Sequence, residues 1–552
     1  MMKVVLAQLN YHIGNFAENI TRIAYEVKKA EGLDADLIVF SELAVTGYPP
    51  QDLLEYGSFI EESTQAIGQL ASISNHVGIL IGAPTLNPNP TGKKLFNSAY
   101  FLYNGQVEQV FHKTLLPTYD IFDEYRYFEP NREYQLLHFK GKKIAVTICE
   151  DLWFDQPAEN AFSNSRLYTE NPLEKLAGLD PDLIINLAAS PFSYLRQQVK
   201  TEIFTNNARK FKLPIIYVNQ VGAQTELVFE GGSLVVDRHG KIIRSLNLFS
   251  EDSQLVDLDD LLMDRLPETQ HQPWERPELI YHALLLGIRD YFNKMNFQKA
   301  TLGLSGGIDS AVTLVLAAEA LGAENLLVLL MPSKYSSDHS LKDAKKLAGN
   351  LGVSYQVIPI QETFESFLSD LKPLFADLPE DITEENLQSR IRGTLLMALS
   401  NKFGHILLNT SNKSEAAVGY GTLYGDMAGG LSVLGDVYKT DVYRLAEFIN
   451  RKHVIIPENI LSKPPSAELK PDQKDTDSLP AYHVLDQILF AYIEQQKALD
   501  EITGEGMDEK LVERIIGMVN QNEYKRYQTP PILRISSKAF GVGRRMPLVA
   551  KY

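Results

Sequence analysis

Short, nearly continuous apolar runs recur through the first half of the chain: VVLAQL near its start, then DLIVFSE, HVGILIGAP, KIAVTICED, DLIINLAAS and LPIIYVNQV. Runs of this length, bounded by Gly, Pro or Asp, predict strands buried on both faces. Between them, stretches such as ENITRIAYEVKKAEG place apolar residues three and four apart, the spacing of a helix with one buried side. The segment SLVVDRHGKIIRSL predicts a hairpin that turns at Arg238, His239 and Gly240. A second alternation begins near Pro277, with strands predicted at 300–304, 326–331, 354–360 and 405–409, separated by helices. That order of elements predicts a doubly wound parallel sheet. Between the two patterns lie the acidic stretch SEDSQLVDLDDLLMD and the Pro-, Gln- and Glu-rich stretch PETQHQPWERPE. The expected organisation is therefore an α/β domain over 1–246, a linker over 247–276 and a second α/β domain over 277–552.

A length of 552 residues fits about two to four cores. With 44% hydrophobic and 22% charged residues, and no apolar run long enough to span a bilayer, a soluble globular protein is expected. One cysteine in the whole chain excludes an internal disulfide framework and suits a reducing compartment. MMKVVLAQLN reads as a strand without a secretory apolar core, so a cytoplasmic location is expected. The net charge of -17 argues against diffuse binding to nucleic acid or to a membrane, and local basic clusters must receive any anionic substrate. From Tyr524 onward the balance reverses: Lys525, Arg526, Arg534, Lys538, Arg544, Arg545 and Lys551 occur without an acid, which suggests a folded flap over an anion.

The most specific chemistry is TLGLSGGIDSAVTLVLAAEAL, an apolar strand that enters Ser305-Gly306-Gly307-Ile308-Asp309-Ser310 and leaves as a helix. Two glycines allow close backbone approach, and the helix N-terminus with Ser305 and Ser310 supplies donors to an anion. Asp309 beside a phosphate calls for a cation between them. Neither GxxxxGK[ST] nor GxGxxG fits, while SGGxDS resembles the loop of the ATP pyrophosphatases, which cleave ATP between its α and β phosphates.

In the first domain, Cys149 ends the strand KIAVTIC, and two further strand ends carry Glu42, in DLIVFSELAVTGYPP, and Lys113, in VFHKTLLPTYD. A glutamate, a lysine and a cysteine at strand mouths suit amide cleavage through a thioester, with Glu42 as base, Cys149 as nucleophile and Lys113 as the charge that meets the oxyanion and lowers the thiol pKa. With NLAASPFSYLR and YVNQVGAQTELVFEGGS, these residues resemble the nitrilase superfamily. The resemblance implies an α-β-β-α sandwich and, for a glutamine substrate, contacts from Tyr48, Tyr119, Glu124, Ser190 and Arg196, with Arg196 as the carboxylate clamp.

In the second domain SGGIDS, MPSKYSS, NLQSRIRG, NTSNKSE, YGTLYGDMAGG and LGDVYKTDVY occur in the order of the NAD synthetase family, and both domains together resemble its glutamine-dependent branch. The resemblance implies ATP as substrate, met by Leu302, Gly303, Leu304, Ser305, Gly306, Gly307, Ile308, Asp309, Ser310, Thr410 and Lys439. It places deamido-NAD on Asn386, Arg390, Glu415, Asp426 and Lys525, and Mg2+ on Asp309 and Glu415. L-Glutamine, ATP and deamido-NAD are then the small-molecule partners, and a homo-oligomer is expected. Two readings compete: another ATP-pyrophosphatase amidotransferase, and an amidase whose second domain senses nucleotide. GMP synthetases call for a Cys-His-Glu glutaminase and asparagine synthetases for an N-terminal cysteine, whereas this chain starts Met1-Met2 and holds only Cys149.

Overall fold

A computed structural model describes residues 2–156, 166–269, 273–471 and 473–550, in two compact units, Met1–Pro273 and Trp274–Tyr552. The first unit contains two six-stranded sheets. One runs, in spatial order, Asp252–Asp257, Lys3–Gln8, Leu37–Val39, Gly78–Leu86, Leu95–Tyr103 and Gln106–His112. The other runs Ile242–Ser245, Leu234–Val236, Ile215–Asn219, Leu183–Ala188, Lys142–Ile148 and Leu137–Phe139. Both are mixed: the central strands pair in parallel and the outer ones antiparallel.

The continuous apolar runs are explained by where successive side chains go. Val4 and Leu6 join Ile144, Val146 and Ile185 in a core between the sheets, whereas Val5 and Ala7 join Phe16, Ile23 and Val27 beneath the helix Phe16–Gly32. Period-two alternation is thus present but masked, because both faces are buried. Asn15 caps that helix by accepting from the Glu18 N–H, at 3.3 Å. The hairpin at 238–240 forms as expected, with the Asp237 carboxylate accepting from the N–H groups of His239 and Lys241.

The expected linker over 247–276 is corrected. Asp252–Asp257 pairs antiparallel with Lys3–Gln8 along its whole length, and the helix Leu258–Leu262 buries Leu258 and Leu261 against the first unit's core. The acidic residues mislead because Asp252 and Asp257 stand at the two ends of an edge strand whose only buried side chain is Val256, and charge is tolerated there. What remains of the linker includes 270–272, which lie outside the described residues.

The second unit carries a wholly parallel sheet in the order Ser354–Val357, Leu326–Leu330, Lys299–Gly303, His405–Asn409, Leu431–Ser432. The chain starts at the middle strand, builds outward to one side and then to the other. The carboxyl ends of Lys299–Gly303 and His405–Asn409 therefore flank the switch point where such sheets bind ligands. The basic tail is corrected as well. Arg526 is buried and gives its guanidinium to the carbonyls of Ala416, Ala417 and Val519 and to Glu523, while Arg544 pairs with Glu523 and Arg534 with the Ser537 carbonyl. These arginines satisfy the chain's own acceptors rather than cover an anion; Lys551 lies outside the described residues.

Candidate active sites

Glu42, Lys113 and Cys149 come together in the first unit, all buried. Gly82 makes room for Glu42: a Cβ there would stand 2.7 Å from the Glu42 backbone and 2.2 Å from Leu43 N. The Glu42 carboxylate is held on both oxygens, Oε1 by Asn97 Nδ2 at 2.7 Å and Lys113 Nζ at 2.7 Å, and Oε2 by the Ala189 N–H at 3.0 Å. Lys113 also donates to both oxygens of Glu124, at 2.9 and 2.7 Å, and the Tyr48 hydroxyl donates to Glu124 Oε1 at 2.8 Å. Glu124 is therefore committed to the lysine, and Tyr48 to Glu124. Burial pushes the Glu124 carboxyl up to about 7, Lys113 works against that shift, and Glu42 adds to it. Burial alone would lower the Lys113 pKa, but the two carboxylates outweigh it and keep the ammonium charged.

Cys149 follows the strand Lys142–Ile148 with φ of 42°, a left-handed backbone at a non-glycine residue. Asp151 holds this elbow: its carboxylate accepts from the N–H groups of Ile148 at 3.0 Å, Thr114 at 3.0 Å and Leu115 at 2.8 Å. It thus ties the Cys149 turn to the loop that follows Lys113. Burial and the Glu42 carboxylate push the thiol well above its ordinary range, against the pull of Lys113. Lys113 does lower the thiol pKa, as expected, but burial and the like charge of Glu42 outweigh it and the net shift is upward.

Beside the thiol, Glu150 Oε1 accepts from the hydroxyls of Tyr119 and Tyr168, each at 2.8 Å, and from Gln156 Nε2 at 3.1 Å. Arg196 opens the helix Arg196–Phe211, stands 5.8 Å from the Trp153 ring centre, and lies near the Tyr119 hydroxyl and the Glu150 carboxylate. The Ser190 N–H donates to Asn219 Oδ1 at 2.9 Å. Asn97 and Asp151 carry no motif of their own; apart from Ile148, their partners are tens of residues away, and only the three-dimensional contact reveals them.

In the second unit Ser305 to Ser310 fills the switch point. Gly306 has φ of 79°, and a Cβ would stand 2.3 Å from the Ser340 carbonyl oxygen. Two cavities, of about 250 and 220 Å³, share Ser305, Ser340, Thr410, Asp426 and Glu468 in their walls. Gly303 and Leu304 line the first, and Gly307 to Ser310, Glu415 and Lys439 line the second. Leu302, Leu304 and Ile308 are buried; Leu304 and Ile308 line the cavities and Leu302 lines neither. Lys439 Nζ bridges Asp309 and Glu415, at 3.1 Å from the latter, and Asn412 Nδ2 donates to Asp309 Oδ1 at 2.9 Å. Burial raises Glu415 to about 7 against the pull of Lys439, with Asp309 adding to the rise.

The remaining expected contacts are dispersed: Asn386 and Arg390 stand on the helix Ile382–Phe403, Lys525 on the short helix Glu523–Arg526, and Asp426 on a loop. Asn386 Oδ1 accepts from Thr422 Oγ1, Asp426 Oδ1 accepts from the Thr422 N–H, and Lys525 Nζ donates to the carbonyls of Gly419 and Gly421. Arg390 is exposed and donates from Nε to the Leu423 carbonyl at 3.2 Å.

Residues 3–265 match the family described as Carbon-nitrogen hydrolase, and residues 280–529 match NAD synthase. A "Glutamine-dependent NAD(+) synthetase" of Synechocystis sp. is 47% identical over 100% of this chain and 99% of its own. The chain belongs to the glutamine-dependent NAD(+) synthetase family. A second such synthetase, from Thermotoga maritima, is 41% identical over 100% of this chain and 99% of its own. A glutamine-dependent NAD+ synthetase of Acinetobacter baumannii, solved with adenosine diphosphate, superposes with a TM-score of 0.78 at 39% identity, covering 99% of this chain and 98% of the other. The family is an ATP-dependent ligase of NAD biosynthesis, and its two parts account for the two sites: a nitrilase-type amide-cleaving unit and an NAD synthase unit.

Proposed function

We propose that this chain hydrolyses glutamine at Cys149 and uses the ammonia to convert deamido-NAD to NAD with ATP, and that Glu42, Lys113, Cys149 and the Ser305–Ser310 loop carry the chemistry. The observation that carries the reading is the pairing of a held Glu-Lys-Cys set with a phosphate loop at a parallel-sheet switch point. Because the thiol rests protonated, Glu42 must take its proton as Sγ bonds to the amide carbon. Lys113 faces the negative charge that develops there. Collapse breaks the C–N bond, and Glu42 returns the proton to the leaving ammonia. Glu42 then takes a proton from water, whose oxygen displaces Sγ, giving glutamate and the thiol. Arg196 is the clamp for the substrate α-carboxylate, flanked by Tyr119 and Ser190; Glu124 acts instead by fixing Lys113.

In the second unit the nicotinate carboxylate of deamido-NAD attacks the α-phosphorus of ATP and pyrophosphate leaves. Ammonia then adds to the acyl carbon, loses a proton, and displaces AMP. Asp309 and Glu415, with Lys439 neutralising both, offer hard oxygen donors that fit Mg2+ completed by phosphate oxygens. Bound there, the ion would neutralise the phosphate charge. The loop's N–H groups and Ser310 hold the phosphates, Thr410 lines the nucleotide crevice, and Asn386, Arg390, Asp426 and Lys525 border the acceptor's place.

No helix among the described residues is long and apolar enough to cross a membrane, and the unpaired Cys149 thiol suits the reducing cytoplasm. A second copy of the chain is the fitting cover for the second unit's edge strand Ser354–Val357, which is exposed along its length. The test supplies ATP, Mg2+ and glutamine with deamido-NAD, xanthosine monophosphate or aspartate as acceptor. NAD from deamido-NAD alone is the expected result; amidation of either other acceptor would overturn the reading.

A further inference from the structure

The helix Arg196–Phe211 packs on the second sheet with Lys200, Ile203, Phe204, Asn207 and Ala208 buried. A lysine on that face is unusual, and it is paired: Lys200 Nζ donates to Glu230 Oε1 at 2.5 Å, with the two side chains only 5% and 4% exposed. Glu230 ends the strand Leu227–Glu230, and its Oε2 is buried without a hydrogen bond. Three rings lie under the helix. Trp153 and Phe204 are 6.3 Å apart between centres, and Phe204 and Tyr217 are 4.4 Å apart. Arg196 stands over Trp153 at one end of this row, and Lys200 over Tyr217 at the other, 5.9 Å from its centre. Four residues apart, the two cations share one side of the helix.

A buried ion pair is a poor source of stability, since apolar residues of similar volume usually serve as well or better. What it supplies is direction. The helix needs that here, because its first turn has no side-chain cap: Leu195 stands at the cap position and its side chain has no acceptor. The Lys200–Glu230 bond is the directional tie one turn beyond Arg196, anchoring the helix start to a strand of the same unit.

We propose that the buried Lys200–Glu230 pair is a positioning device that sets glutamine affinity by holding Arg196 in register over Trp153. This rests on the reading of Arg196 as the carboxylate clamp. The test uses the full chain with Lys200→Met and Glu230→Gln together, which removes both charges and leaves neither uncompensated, and compares it with Arg196→Ala and with all three substitutions combined. Glutamate release gives KM and kcat; a melting curve checks folding.

The expected result is a rise in the glutamine KM of about tenfold with kcat within about twofold, the signature of lost binding common to ground and transition states. On the Arg196→Ala background the same pair of substitutions should add nothing, because both act through one group. An unchanged KM in the folded double variant, or a fully additive penalty on the Arg196→Ala background, overturns the inference. If Arg196→Ala itself leaves KM unchanged, the clamp reading is what fails, and the inference falls with it. Should the double variant not fold, Glu230→Asp keeps both charges and withdraws the carboxylate by one methylene. A KM raised several-fold is then expected, and an unchanged KM overturns the proposal.

Discussion

Replacing Lys113 by Met separates the electrostatic role of this residue from its bulk. Its ammonium gives all its close contacts to Glu42 and Glu124, at 2.7 to 2.9 Å, and both it and Glu42 have fully buried side chains. Met keeps the stem and removes the charge, leaving two buried carboxylates without their cation. Breaking a buried pair in this way costs about 3–5 kcal/mol. The site can lower that cost only by protonating one carboxyl, whose folded pKa then rises above the ordinary glutamate value. A carboxyl with a raised folded pKa leaves stability intact below its unfolded pKa and loses it as pH rises through the folded one. Glu124 already sits near 7 with the lysine present, so the window runs from about pH 4.5 to beyond 7. The variant's melting temperature should therefore approach the parent's at pH 5 and fall well below it at pH 8. Loss of the charge facing the oxyanion should cut glutamine hydrolysis by about 10²–10³, while NAD formation from ammonium salts persists. A melting temperature equal to the parent's at pH 8, or glutamine turnover near normal, would refute this account of the buried cluster.

Cys149→Ala should abolish NAD formation from glutamine and leave formation from ammonium salts near normal, with a melting curve showing no more than about 1–2 kcal/mol of lost stability; equal loss with both donors would mean the cysteine is only packing. Asp309→Asn or Glu415→Gln should abolish synthesis with either donor yet spare glutamate release, and near-normal NAD yield from both variants would identify these as ordinary polar groups. Phosphorus NMR of the reaction should show AMP and pyrophosphate in step with NAD, and stoichiometric ADP would exclude the assigned use of the Ser305–Ser310 loop. Arg526→Met should destabilise the second unit by about 1–3 kcal/mol, since the buried carbonyls of Ala416, Ala417 and Val519 lose their donor while Glu523 keeps Arg544; an unshifted melting curve would contradict its place in the fold.

The residues proposed to carry the chemistry were legible because the folds place them after strands, and Glu42, Cys149 and Ser305 follow apolar runs, while Lys113 follows the half-polar strand Gln106–His112. The supports were not legible. Asp151 bonds Thr114 and Leu115 across more than thirty residues, and Asn97 reaches Glu42 from another strand, so neither leaves a local pattern. Composition misled twice. An acidic segment proved to be an edge strand, and a basic tail proved to answer carbonyl oxygens that have no signature in sequence. The pull of Lys113 on the thiol was legible but not the net shift: the sequence shows which charges can be near, while burial sets their sum.

The protonated resting thiol also bears on how this protein survives oxidants. Peroxides and electrophilic metabolites attack thiolates, and the first product, a sulfenic acid, needs a second thiol to be rescued as a disulfide. This chain has no second cysteine. By keeping Cys149 buried and its proton in place until an amide enters beside Glu42, the site confines reactive sulfur to the moment of turnover. Damage by peroxide should then track catalytic cycles rather than time, and glutamine, the very substrate that occupies the pocket, decides when the enzyme is vulnerable.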